Sequence, residues 1–228
     1  MTAIMLKEWI LQIRQDSRYY CIESWKYRIS GNVLELSVTP ADTKNKQVYR
    51  CSVITVGQVL RALSCKIEDA DSHFLIQSFP AIESPEIIAS IRMDKNSYHT
   101  DTFPPCSPDY KPGDTVLSRV QTLSRLYQFS LHPCTKPDKT FLPETEDADL
   151  KRLKWYALAS QFDNPFTWLN VGYWKESLQK DCRNFVIEKP WPITDFCNHS
   201  ATGRLDIKIP DQSFLQAAIG IPKAAAAR

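Results

Sequence analysis

Glycine is the residue this chain lacks. Six occur in 228 residues, at positions 31, 57, 113, 172, 203 and 220, well below the ~7% of average usage. No two lie close enough to form a G-x-G-x-x-G turn or a Walker A loop, both of which need several glycines to bring backbone up to phosphate. Dinucleotide folds of Rossmann type and P-loop folds are therefore excluded. A phosphate bound by this chain must be held by side chains and a helix N-terminus.

The remaining composition is that of a globular protein, 43% apolar, 24% charged and 11% aromatic. Length fits one domain over residues 1–222, followed by an Ala-rich tail, 223–228, that reads as loose. A formal charge of +2 argues against a nucleic-acid groove, which would show a basic stripe. The six tryptophans then read as core rather than as base-stacking platforms. The seven cysteines (21, 51, 65, 106, 134, 182 and 197) are scattered, with no C-x-x-C pair. Residues 1–15 interrupt their apolar positions with Lys7, Glu8 and Arg14 and lack a secretory core. No apolar run approaches the ~18 residues of a membrane span. These features point to a cytoplasmic protein, not membrane-bound, with all seven thiols free.

Periodicity gives an α+β series. Residues 4–15 read as an amphipathic helix. Trp25, Tyr27 and Ile29 alternate with polar residues, and Gly31-Asn32 turns the chain into a second alternating run, 33–38, which together make a hairpin. Residues 47–65 switch to helical spacing, with Gly57 inside the helix marking either close packing or close approach of a ligand. Strands follow at 73–79 and 87–93, a Pro-rich loop at 94–113 and a helix from Asp114 to Tyr127. After a second Pro-rich stretch, 133–143, the acidic residues 144–147 suit the start of a helix carrying Leu150, Leu153, Trp155, Leu158 and Ala159. Residues 164–191 fit no single period. Leu205–Ile209 and Phe214–Ile221 read as strands, and no internal sequence repeat is found.

Local motifs for chemistry are weak. His132-Pro-Cys134 and Cys197-Asn-His199 lack finger spacing, so no metal site is expected. No motif selects a Cys–His pair as a nucleophile. Glu144, Glu146, Asp147 and Asp149 fit a solvated helix start better than paired catalytic carboxylates.

The order of segments carries more information. A helix is followed by a hairpin opening Ser24-Trp25-Lys26-Tyr27-Arg28-Ile29. Next comes a helix with Arg50, Gly57 seven residues later and Leu60 three beyond, and then two strands. Ser124-Arg125 lies in a later helix, and Phe214–Pro222 ends in Gly-x-Pro. This resembles the nitroreductase family, most closely its Acg-like subgroup, over about residues 5–93 and 212–222. The resemblance implies a three-layer α+β sandwich with a central, mostly antiparallel sheet flanked by helices. It also implies a homodimer with shared sites, and flavin mononucleotide (FMN) gripped by arginines. Electrons would pass from NAD(P)H to a small organic acceptor, and the flavin rather than a catalytic side chain would carry the chemistry. Mapped onto this chain, Arg50 and Arg125 would contact the phosphate, Ser24 and Trp25 would lie along the ring, and Gly57 would allow close approach. The chain departs from the family at Cys21-Ile22-Glu23-Ser24-Trp25, where the resembled motif is Asn-x-Gln-Pro-Trp. A carboxylate stands in place of the amide that serves the flavin ring. That change motivates a second expectation, a non-catalytic member of the same fold that sequesters flavin or serves as an interaction or structural protein.

Overall fold

The computed structural model describes residues 3–15, 25–70, 74–93, 115–135, 153–184, 193–195, 210 and 212–222. The chain divides into two compact units, Met1–Cys106 with Trp168–Glu176, and Ser107–Thr167 with Ser177–Arg228.

The first unit opens on helix α1 (Ala3–Gln15). Its apolar residues recur at helical spacing, so Leu6, Ile10 and Ile13 are buried while Lys7, Glu8 and Arg14 stay in solvent. Strands β1 (Trp25–Ser30) and β2 (Val33–Val38) form the expected hairpin, Trp25 opposite Val38 and Ser30 opposite Val33. Gly31 takes φ +59°, the left-handed conformation that a two-residue hairpin turn demands. The strict alternation of β2 buries Leu34, Leu36 and Val38. A 3-10 turn (Asp42–Lys44) leads into the long helix α2 (Lys46–Asp69). Strands β3 (Phe74–Ser78) and β4 (Ile87–Met93) complete an antiparallel sheet of order β1-β2-β4-β3. Helix α2 packs on β1, β2 and β4, and α1 packs on α2. Val53, Val56, Val59, Leu60, Leu63 and Ile67 are all at 0% exposure on α2. At about 1.5–3 kcal/mol for each such side chain, this one helix anchors the unit.

In the second unit, Thr115 caps helix α3 (Val116–Leu126), its Oγ1 accepting from Ser118 N at 3.1 Å. Gln128, at φ +62°, turns the chain into β5 (Ser130–Cys134), which pairs with β6 (Leu153–Ser160). Helix α4 (Pro165–Asn184) starts after Asn164, whose Oδ1 accepts from Thr167 N at 3.0 Å. Strands β7 (Ile193–Asp195) and β8 (Phe214–Pro222) finish an antiparallel sheet of order β5-β6-β8-β7.

The protein is thus a mixed α+β fold. The helix expected through Leu153, Trp155, Leu158 and Ala159 is instead strand β6. Trp155 through Ser160 are buried in succession because β6 lies inside its sheet. A short strand buried on both faces reads as a continuous apolar run, which periodicity cannot distinguish from a buried helix. The Pro-rich reading of 133 onward is also corrected at its start. Pro133 lies in β5, an edge strand, where a missing N–H is tolerated. The undecided segment is helical through Asn184. The expected loop at 94–113, strand at Leu205–Ile209 and tail at 223–228 lie outside the described residues.

One regularity is absent from the sequence. The chain runs through helix, hairpin, helix and strand pair twice, and both sheets have the same strand order. Each sheet has a register shift at the same place, between its second and fourth strands, at Leu36/Ser37 and at Leu158/Ala159. An asparagine side chain caps the long helix of each series, Asn45 for α2 and Asn164 for α4. The repetition is one of topology, carried by different residues.

Candidate functional site

Helix α2 positions most of the candidate residues. Asn45 Oδ1 accepts from Gln47 N at 3.0 Å and Val48 N at 3.3 Å, which satisfies two of the N–H groups a helix start leaves open. At 100° per residue, Val56, Val59, Leu60 and Leu63 share the face that meets the sheet. Arg50, Ile54, Gly57 and Arg61 fall together on another. That second face meets residues 168–176 of α4. A Cβ on Gly57 would collide with the carbonyl oxygen of Leu169 and come within 3.1 Å of Gly172 Cα. A Cβ on Gly172 would collide with Ile54 O and lie 2.8 Å from both Gln58 N and Gly57 Cα. The two glycines therefore face each other at a backbone-to-backbone helix crossing.

An arginine lies on either side of Gly57 along α2. Arg50 and Arg61 are each 1% exposed. The Arg50 guanidinium carbon is 5.7 Å from the ring centroid of Trp168, and that of Arg61 is 5.9 Å from the ring centroid of Tyr173. Lys46, one turn before Arg50, places its Nζ 5.9 Å from the same Trp168 ring. Tyr49 meets Trp168 edge-on, with centroids 6.1 Å apart at 85°. Its hydroxyl donates to Pro85 O at 2.7 Å. Burial, and after it the Glu86 carboxylate, pushes the Tyr49 hydroxyl above its ordinary pKa. An arginine cannot discharge on burial as a lysine can, so it is buried only where aromatic faces and polar partners offset lost hydration.

Trp25 begins β1 at 1% exposure with the Arg14 guanidinium carbon 5.9 Å from its ring centroid. Its Nε1 is buried without a hydrogen-bond partner among the described residues, as are Ser52 Oγ and Gln58 Nε2 on α2. By contrast, Thr55 Oγ1 and Ser64 Oγ donate back to the carbonyls of Cys51 and Leu60. Among the described residues of the first unit, Trp25 Nε1, Ser52 Oγ and Gln58 Nε2 are thus buried donors on elements that also carry cationic side chains.

Trp25, Arg50 and Gly57 belong to one unit, on elements that pack together. Ser24, with Cys21 and Glu23, lies outside the described residues. Arg125 belongs to the other unit, exposed in the last turn of α3, where a cation offsets the carbonyl end of the helix. Gly220, in the late Gly-x-Pro segment, lies opposite Trp155, and a Cβ there would come within 3.1 Å of that indole. Sequence reasoning missed Lys46, Arg61, Trp168, Gly172 and Tyr173. A signal was present on α2, where cations at 46, 50 and 61 recur at helical spacing on an otherwise apolar segment. On α4 the crowding of aromatics hid the period.

The expectation of seven free thiols is corrected. Cys51, beside Arg50, is disulfide-bonded, while Cys65 and Cys134 are free. Pairing needs Cα atoms within ~7 Å, a tertiary property that spacing along the chain does not reveal. Burial pushes the Cys134 thiol up to about 11. His132 Nε2 lies 2.9 Å from Ser130 Oγ, and no group of three or more potential metal ligands occurs among the described residues. Nor is any described helix long and apolar enough to cross a membrane. No protein-family model matches the chain, and no curated protein is significantly similar to it.

Proposed function

We propose that the chain is an FMN-binding oxidoreductase of nitroreductase type, acting between NAD(P)H and an organic acceptor. Bound FMN supplies the hydride and electron chemistry, and the chain supplies position and field. The observation that carries this reading is the burial of Arg50 to 1% exposure, because an arginine of no function at that position would ordinarily be a surface charge. The donor set suits the group. Arg50 offers a fork of N–H donors to a phosphate. Trp25 Nε1, Ser52 Oγ and Gln58 Nε2, which have no hydrogen-bond partner among the described residues, are buried donors of the kind that carbonyl- and nitrogen-rich rings accept from. Arg125, exposed at a helix C-terminus, suits the phosphate less well. The family's three-layer sandwich, its homodimer and a cytoplasmic location are part of this proposal.

A second reading, a non-catalytic protein that sequesters flavin or binds another protein, is favoured by one observation. The close approach that Gly57 permits is taken up by the backbone of Leu169 and Gly172. The visible spectrum of the purified protein after incubation with FMN separates the two. A yellow protein that NADH or NADPH bleaches supports the enzyme. Yellow colour that persists under either nucleotide supports sequestration, and a protein left colourless at high FMN refutes both flavin readings.

A further inference from the structure

Among the described residues the two sheets end in four edge strands, β1 and β3 in the first unit and β5 and β7 in the second. An edge strand leaves a row of main-chain groups open to another chain, and proteins block such edges with charge, proline or short length. Three of the four are blocked in this way. β1 carries the exposed cations Lys26 and Arg28, β5 contains Pro133, and β7 has three residues. β3, by contrast, has no charge, no proline and no glycine.

The pairing phase identifies the open groups of β3. Phe79 N donates to Ile88 O at 2.8 Å, and the β3–β4 register sets these two residues opposite one another. Bonded and non-bonded pairs alternate along an antiparallel ladder, so Leu75 and Gln77 also bond to β4, while the N–H and C=O of Ile76 and Ser78 point away from it. Neither of those two residues has a main-chain partner among the described residues beyond the ladder. The Ile76 side chain stays in the core at 6% exposure and Gln77 in solvent, so an added strand would continue both the ladder and the alternation. The chain leaves β3 through Phe79, at φ +49°, a conformation rare for an aromatic residue. The loop beyond is tied down by Tyr49 OH donating to Pro85 O at 2.7 Å and Val38 N to Glu86 O at 2.9 Å, and it holds Ile82 out at 97% exposure. Glu83 and Glu86 are the only charged residues from 74 to 91, whereas the exposed Arg92 stands opposite Leu75, near the other end of β3.

We propose that the open edge of β3, with Ile82 beyond it, is a strand-addition site for an extended segment of another protein. The segment alternates apolar and polar residues and is cationic at the end that meets Glu83 and Glu86, away from Arg92. Main-chain bonds supply affinity in this mode, and side chains at alternate positions supply specificity. A second folded copy is the poorer occupant, because one five-residue strand covers far less than the ~800 Å² per partner of a stable interface. The site goes beyond the flavin reading and does not depend on it.

Amide hydrogen exchange of the full chain, read by NMR, tests the edge itself. Leu75 and Gln77 should exchange slowly, and Ile76 and Ser78 fast. Slow exchange at all four in a chain of one-chain mass shows an edge already covered and overturns the proposal. Protection of Ile76 and Ser78 that is lost on dilution, together with a two-chain mass, gives the edge to a second copy and overturns it equally. The binding probe is a displayed library of random peptides about ten residues long, enough for one strand. Enriched peptides should alternate apolar and polar residues and carry lysine or arginine at one end. A synthetic copy should slow exchange at Ile76 and Ser78 and should lose binding when its alternate amides are N-methylated. Affinity should fall about three- to tenfold for Glu83→Lys and about tenfold or more for Ile82→Ser. Both positions are exposed, so the variants should melt as the parent does. A library that yields no binder, a binder that leaves exchange at Ile76 and Ser78 unchanged, or variants that bind as the parent does overturns the site.

Discussion

Replacing Gly57 with alanine should destabilise the protein, against the usual trend for a helix interior. In an ordinary helix the exchange stabilises by about 1 kcal/mol, because alanine restricts the unfolded chain and solvates the backbone less. Here the new methyl meets the Leu169 carbonyl oxygen and lies 3.1 Å from Gly172 Cα. Both are backbone atoms, so no rotamer change relieves the contact, and the helix segments must separate by roughly 1 Å. A gap of that size forfeits about a quarter to a half of the dispersion attraction between atoms across the crossing. Overpacking costs about 1–3 kcal/mol, with the upper end apt where only backbone can move. Setting about 3 against the 1 gained leaves a net loss of about 2 kcal/mol, or about 4–8 °C in Tm for a chain of this length. Urea titration and thermal melting followed by far-UV circular dichroism measure it. Gly172→Ala should lose at least as much, since its methyl meets Ile54 O, Gln58 N and Gly57 Cα. The double variant should lose less than the sum, because the first methyl has already opened the crossing. A Gly57→Ala protein more stable than its parent would refute the reasoning.

Asn45→Ala removes the cap of α2 and should cost about 1 kcal/mol, measured in the same melts. Labelling of the denatured, unreduced chain should find at most five free thiols, seven cysteines less the two in the Cys51 bridge, and seven would contradict that bridge. Cys134 should alkylate about a hundredfold more slowly in the folded than in the unfolded chain at pH 8, because its thiol is raised from 9.0 to about 11. The sign for stability follows: the folded state keeps a proton that the unfolded chain releases, so stability is full below pH 9 and falls as pH rises toward about 11. Tyr49 acts in the same direction, and alkaline denaturation curves that stay flat over this range would count against both. Light scattering at micromolar concentration should give a two-chain mass, and a mass of 26.2 kDa would remove the proposed homodimer.

Elements whose residues carry their own periodicity were legible from the sequence. The β1–β2 hairpin announces itself by alternation and by Gly31-Asn32, which supplies the positive φ of its turn. Helix α2 and strand β4 follow from spacing alone, and Arg50 and Gly57 stood out because a cation and a glycine interrupt an apolar helix. What those two residues do was decided by partners more than a hundred positions away. Trp168 gives Arg50 its aromatic face, and Gly172 gives Gly57 its crossing. Strand β6 could not be read locally because burial on both faces erases the alternation that marks a strand. The Cys51 bridge and the twofold repetition of helix, hairpin, helix and strand pair were hidden for a related reason. Proximity of two cysteines and the order of strands in a sheet depend on how the chain folds back on itself. Many different residues satisfy the same topology, so local sequence records which element forms, and tertiary packing settles which elements meet.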